Sequence, residues 1–254
     1  MNDGRFFVHH SSLIIHRFLM RILAIGDIHG YLIALDALLA AVAPTPQDWV
    51  VFLGDYVDRG PQSRGVLDRV IALEKSQRVI ALRGNHEQMM MDSRDAPGLV
   101  PTWMFNGGEE TLASYAPPGR QGRLSDVPAA HWDFLDHVCV DWFETERHLF
   151  VHGGMIPHLG PSEQPPQVMR WQKLQHQRPH FSGKPIVCGH TVQSDGVPLD
   201  LGFAVCIDTG IYLPEGWLTC LDVVTGDFWQ ANAAGALRKS NLSEIEETPE
   251  GNDE

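Results

Sequence analysis

The chain has 254 residues, a formal charge of −13, 43% hydrophobic residues and 20% charged residues. That balance supports a globular core rather than a disordered chain, and a polypeptide of this length buries enough surface to fold without staples. The acid excess argues against an electrostatic nucleic-acid or membrane binder, and there is no apolar run of about 18 residues to span a bilayer.

Residues 1–19 differ in character from the rest of the chain. Two apolar triplets, Phe6-Phe7-Val8 and Leu13-Ile14-Ile15, are split by His9-His10-Ser11-Ser12. This is too interrupted for a signal-peptide core, so it reads as a poorly structured leader, with Met20 a candidate start. Residues 21–25 form an apolar run ending in Gly26-Asp27 and predict a buried strand. Residues 32–42 are apolar at helical spacing and stop at Pro44. Residues 49–53 predict a second strand, 63–75 a second helix, and 79–82 a third strand. Alternating strands and helices imply an α/β domain whose parallel strands carry functional loops at their carboxyl ends.

Residues 87–145, rich in Met and Trp, predict helices and loops covering the sheet. Further strands are predicted at 148–151, 185–188 and 203–207, with a hairpin of 218–224 and 228–230 around Thr225-Gly226-Asp227. No linker divides the chain, so 20–239 reads as one domain. Residues 240–254 carry six acidic residues and no basic one, and predict a solvated, disordered tail. The four cysteines, Cys139, Cys188, Cys206 and Cys220, form no C-x-x-C pair and read as buried thiols in a reducing cytoplasm.

Five strand ends carry chemistry: Asp27 with His29, Asp55 with Asp58, Asn85 with His86, then His152 and His190. Taken singly, an Asp after a strand is a turn former or cap, and a lone His is a hydrogen-bonded structural residue. The recurrence decides otherwise, because each group closes an apolar run and sits against glycine. Carboxylates and imidazoles without cysteine suit divalent first-row metals in an open site rather than a structural zinc. Six ligands suit two ions sharing one carboxylate.

Gly26-Asp27-Ile28-His29-Gly30, Gly54-Asp55-Tyr56-Val57-Asp58-Arg59-Gly60 and Gly84-Asn85-His86-Glu87, followed by His152-Gly153-Gly154 and Gly189-His190-Thr191, resemble the signature blocks of the phosphoprotein phosphatase family of calcineurin-like metallophosphoesterases, in its compact bacterial form. The resemblance covers residues 20–230 and implies a two-sheet β-sandwich flanked by α-helices. It also implies Asp27 and His29 on a first metal, Asp55 bridging, and Asn85, His152 and His190 on a second. Arg59 and Arg83 are then phosphate ligands, and His86 is the general acid, oriented by Asp58. A further arginine expected before the last histidine block is Arg170, with Lys173 as the alternative. Trp103 and Asn106-Gly107-Gly108 belong either to the cleft wall or to the core, and Asp208 either supports a ligand or forms a turn.

Two divalent ions, manganese first and iron, zinc, cobalt or nickel next, carry +4 against −2 from Asp27 and Asp55. Ions about 3.5–4 Å apart hold a shared water and depress its pKa toward neutrality, so a bridging hydroxide attacks phosphorus directly. The expected activity is hydrolysis of phosphoserine and phosphothreonine in proteins, with small phosphoesters also accepted. The alternatives are hydrolysis of symmetrical dinucleoside tetraphosphates and, in another class, a non-catalytic metal or phosphopeptide-binding module. A pure binder has no use for His86 and Asp58.

Overall fold

The computed structural model describes residues 20–245. The predicted leader and residues 246–254 of the predicted tail lie outside them. In chain order the strands are β1 (Ile22–Ile25), β2 (Trp49–Phe52), β3 (Arg78–Ala81), β4 (Trp142–Glu144), β5 (Leu149–Val151), β6 (Ile186–Cys188), β7 (Leu199–Asp200), β8 (Ala204–Cys206), β9 (Trp217–Asp222), β10 (Asp227–Asn232) and β11 (Leu237–Asn241). The α-helices are α1 (Leu32–Val42), α2 (Ser63–Glu74), α3 (Asn85–Asp95), α4 (Val100–Trp103), α5 (Glu109–Ser114), α6 (Ala129–Asp133) and α7 (Pro166–Trp171).

The strands form two mixed sheets, β11-β10-β9-β1-β2-β3 and β4-β5-β6-β8-β7. β1, β2 and β3 are parallel as expected, and β9 to β11 extend that sheet antiparallel from β1. Strand alternation explains the layering. Leu23, Ile25, Val50 and Phe52 face one way and pack with Leu35, Leu38 and Leu67 of the helices. Ala24, Val51 and Leu53 face the other way and meet Phe150, Val187 and Val205 of the second sheet. The outer face of the second sheet, with Leu149, Val151, Ile186 and Ala204, is covered by Met155, Met169 and Leu174. The sandwich therefore has helices on one side of the first sheet and the second sheet on the other.

Three strands escape sequence pattern. β4 and β7 have three and two residues, too few to show a period. β11 runs through Ser240 to Asn241 and a 3₁₀ turn spans Leu242–Glu244, so the ordered chain continues past the predicted boundary at 239. β11 is a polar edge strand, Leu-Arg-Lys-Ser-Asn, whose pairing with β10 holds a sequence that composition reads as solvated. Among the described residues no helix is long and apolar enough to cross a membrane.

The entry to β1 is tied to the α1–β2 turn by Asp48. Its buried carboxylate accepts from Arg21 N, Nε and Nη2 and from Thr45 N and Oγ1, at 2.6–3.2 Å. Burial pushes its pKa up, and these bonds more than offset it, leaving the value at about 2. A carboxyl depressed in the folded state stabilises the fold above its unfolded pKa and loses that contribution as pH falls through the folded value. Wild type should therefore lose about 2 kcal/mol between roughly pH 5 and pH 2 that Asp48→Asn does not lose. Parallel denaturant titrations across that range measure the difference, and superposable curves would exclude it.

Candidate metal centre and catalytic dyad

All five motif-bearing loops meet at one end of the sandwich, at the ends of β1, β2, β3, β5 and β6. They are wound tightly. Six non-glycine residues among those described have left-handed backbone angles, and five of them are His29, Asp55, Asp58, Arg59 and His190; the sixth, Ala43, caps α1. Each such residue costs about 1–3 kcal/mol unless its surroundings impose the conformation.

The imposing contacts are visible. His29 N and Ile28 N donate to Asp55 O at 2.8 and 3.0 Å, and Gly30 N to Tyr56 O at 2.9 Å. The Glu87 carboxylate is fully buried and accepts from Asp55 N at 2.8 Å, Tyr56 N at 2.7 Å, Val57 N at 3.3 Å and Gly84 N at 2.9 Å. Glu87 thus fastens the β2 loop to the start of α3. Gly84 must be glycine here, since a Cβ would lie 2.0 Å from Asp55 Oδ1.

Ring tautomers are set by the carbonyls. His29 Nδ1 donates to Val57 O at 2.9 Å and His152 Nδ1 to Leu53 O at 2.8 Å, leaving Nε2 of each as a lone pair. His190 does the reverse: Nε2 donates to Trp171 O at 3.1 Å, leaving Nδ1 free. His152 Nε2 lies 2.9 Å and His190 Nδ1 2.8 Å from Asn85 Oδ1, and His152 Nε2 lies 3.4 Å from Asp55 Oδ2. These four nitrogen and oxygen atoms converge, and together they make a donor set that suits a divalent cation. Asp55 with His152 and His190 is one group able to hold an ion, and Asp55 with His29 and His86 is a second.

The acidic residues agree. Burial, then the charges of Asp208 and Asp55, push the Asp27 carboxyl well up. Asp55 is driven up by burial but held well below the usual range by His152, His86 and His29. Burial and His152 hold the His190 imidazole down at about 3. Asp27 accepts the His190 backbone N–H at 3.2 and 3.3 Å, which joins the first and last blocks. Asp208 accepts from Gly210 N at 3.1 Å, as a turn former does, yet its Oδ2 is buried without a partner. Crowded carboxylates and an orphaned oxygen fit a cationic occupant.

His86 Nδ1 donates to Asp58 Oδ2 at 2.7 Å, and Asp58 is fully buried. That leaves His86 Nε2 directed toward the centre, 4.0 Å from Asp55 Oδ2. Arg59 lies at the mouth, with Nη1 2.6 Å from His29 Nε2 and its guanidinium 4.1 Å over the Tyr212 ring. Tyr212 is a site residue that no motif marked; its signal is only position, four residues after Asp208.

Two further arginines are expected at the site. Arg83 Nη2 donates to the carbonyls of Leu135, Asp136 and Cys139 at 2.6, 3.3 and 3.5 Å, at a helix C-terminus, while its Nε is buried without a partner. Arg170 donates through Nε to Asp141 at 2.7 Å and through Nη1 to Gln88, and so braces α7 against α3. Lys173, the alternative, donates to His190 O at 2.9 Å. Trp103 and Thr111, from α4 and α5, both donate to Asp58. For Glu87→Gln, an amide among four N–H donors should lower unfolding stability by about 3 kcal/mol and reduce bound metal. Metal analysis with thermal melts tests this, and an unchanged melt and metal content would refute the fastening role.

A family model for calcineurin-like phosphoesterases matches residues 20–206. The chain is 42% identical to serine/threonine-protein phosphatase 1 of Salmonella typhimurium over 59% of its own length and 62% of that protein's. It is 32% identical to the symmetrical bis(5'-nucleosyl)-tetraphosphatase of a Janthinobacterium species, over 55% of this chain and 46% of that one. The matched stretch therefore spans less than two thirds of either relative. The fold is similar to that of a serine/threonine phosphatase from Saccharomyces cerevisiae, with a TM-score of 0.57 at 16% identity, covering 91% of this chain and 82% of that one. With these blocks assembled at the ends of a two-sheet sandwich, the chain belongs to the calcineurin-like phosphoesterase family.

Proposed function

We propose that the protein removes phosphate from phosphoserine and phosphothreonine residues of proteins, with two divalent ions bound, manganese being the first to test. The observation that supports this reading most is the His86–Asp58 pair set beside the cluster of Asp55, Asn85, His152 and His190. Asp27, His29 and Asp55 would hold one ion, and Asp55, Asn85, His152 and His190 the other. Such ions supply a water acidified toward neutrality and positive charge for phosphate oxygens.

The chain's own groups do the rest. Arg59 can turn its paired N–H donors to the equatorial oxygens of the phosphoryl group. His86, held through Nδ1 by Asp58, presents Nε2 to the departing serine or threonine oxygen, whose alkoxide is too basic to leave unprotonated. Water attacks phosphorus directly, since no Ser, Cys or Asp nucleophile is needed. The 42% identical phosphatase supports the phosphoprotein reading.

A second reading is hydrolysis of symmetrical dinucleoside tetraphosphates, favoured by the 32% identical tetraphosphatase. Parallel assays of a phosphoserine peptide and diadenosine tetraphosphate, on chelator-treated protein reloaded with each metal, separate the two. A higher kcat/KM on the peptide supports the phosphatase, and the reverse order overturns it. His86→Ala should lower kcat on the peptide by about 10²–10⁴-fold with metal content unchanged. Because His86 Nε2 also approaches Asp55, lost metal in that variant would make His86 a ligand instead of the acid.

The two arginines should separate. Arg59→Ala should reduce kcat/KM by about 10²-fold without lowering the melting temperature. Arg83→Ala should cost about 2 kcal/mol of stability and leave the folded enzyme's kcat/KM within about threefold. Steady-state kinetics alongside thermal melts decide, and the opposite pattern would restore Arg83 to the phosphate site.

A further inference from the structure

The proton donor is held by a segment that belongs to none of the five blocks. Asp58 Oδ1 accepts from Thr111 Oγ1 at 2.7 Å and Trp103 Nε1 at 3.0 Å, and Oδ2 accepts from Trp103 Nε1 at 3.0 Å and His86 Nδ1 at 2.7 Å. A carboxylate has about four lone-pair sites, so Asp58 has none to spare and a single orientation satisfies all donors. Thr111 Oγ1 also accepts the Asp58 backbone N–H at 2.7 Å and lies 3.0 Å from Ser63 Oγ. All of these side chains are buried.

The local sequence is built around this contact. Trp103 ends α4, a π-turn spans Met104–Gly108, and Thr111 lies in α5. Gly108 leaves room for the indole, since a Cβ there would lie 2.6 Å from two of its ring atoms. Gly107 O accepts the Arg59 N–H at 3.1 Å, which supports the left-handed backbone of Asp58 and Arg59. A tryptophan buried for packing alone does not need its N–H split between two oxygens of one acid.

We propose that Trp103 and Thr111 are positioning residues for proton donation to the leaving group, acting through Asp58 on His86. This rests on the reading of His86 as the general acid. Disturbing them should slow the reaction in proportion to how much the leaving oxygen needs a proton. A poor leaving group such as serine feels the loss; p-nitrophenolate, stable without a proton, does not.

The test uses the metal-loaded full chain with p-nitrophenyl phosphate, phenyl phosphate and a phosphoserine peptide. Trp103→Phe removes the N–H and keeps most of the ring. It should lower kcat on the peptide by about tenfold and on p-nitrophenyl phosphate by less than about threefold. Thr111→Val should behave alike, and Thr111→Ser, which keeps the hydroxyl, should restore the rate. If Trp103→Phe does not fold, the Thr111 pair carries the test alone. The downfield proton of the His86–Asp58 hydrogen bond, identified by its loss in His86→Ala, should also shift in both disruptive variants. Equal losses on all three substrates, or no loss on any, overturn the proposal. His86→Ala is measured in parallel: a steep dependence there with a flat one in Trp103→Phe rejects this inference alone. A flat dependence in His86→Ala rejects the acid assignment and this inference with it.

Discussion

Acceptor atoms facing one another in a buried cleft are the constraint on which this fold turns. His152 Nε2, His190 Nδ1, Asn85 Oδ1 and Asp55 Oδ2 lie within hydrogen-bonding distance of one another or just beyond it. The carbonyls of Leu53 and Trp171 take the ring protons on the far side. Positive charge suits such a group of buried nitrogen and oxygen atoms, since low-dielectric surroundings strengthen its attraction to them. The Arg59 guanidinium lies at the edge of the site, with Nη1 2.6 Å from His29 Nε2.

Bringing these side chains together depends on the backbone of the loops that carry them. Three of the candidate ligands, His29, Asp55 and His190, stand on left-handed residues in the loops that follow strands. Glu87 gathers four N–H groups from two loops. The Asp27 carboxylate performs a related task on the His190 backbone. Two carboxylates thus anchor loops through main-chain bonds, a device that depends little on the side chains nearby and tolerates strain that isolated turns do not.

Which features are legible in sequence depends on their range. Asp27 with His29, or Asp55 with Asp58 and Arg59, are local patterns on a strand end, and the apolar runs before them already place them at the carboxyl edge. β1 and β2 are almost wholly buried and read as continuous apolar runs, and β3, at the sheet edge, still shows the apolar Val79-Ile80-Ala81 after an exposed Arg78. Arginine is different, because a long side chain reaches in several directions and its partner is chosen by tertiary structure. Arg83 lies two residues beyond β3, yet its Nη2 goes to the carbonyls of Leu135, Asp136 and Cys139, more than fifty positions away. Arg170 is likewise claimed by Asp141. Tyr212 carries no pattern at all. β11 shows the same limit for strands: its polar composition matches a tail, and only the ladder to β10 makes it structure.

The 100–114 segment lies between these cases. Its Trp, paired glycines and Thr are visible in the sequence, but nothing local says that they surround Asp58. They become intelligible only once the β2 loop is known to enter a left-handed turn at Asp58 and Arg59, exposing backbone N–H groups that need acceptors. Gly107 O and Thr111 Oγ1 are those acceptors, and the hydroxyl and indole then return donors to the same residue's carboxylate. The left-handed backbone of Asp58 and Arg59 and the orientation of the Asp58 carboxylate are therefore met by one short helical segment. A change that relaxed the turn would release that carboxylate, and with it its hydrogen bond to His86, as well.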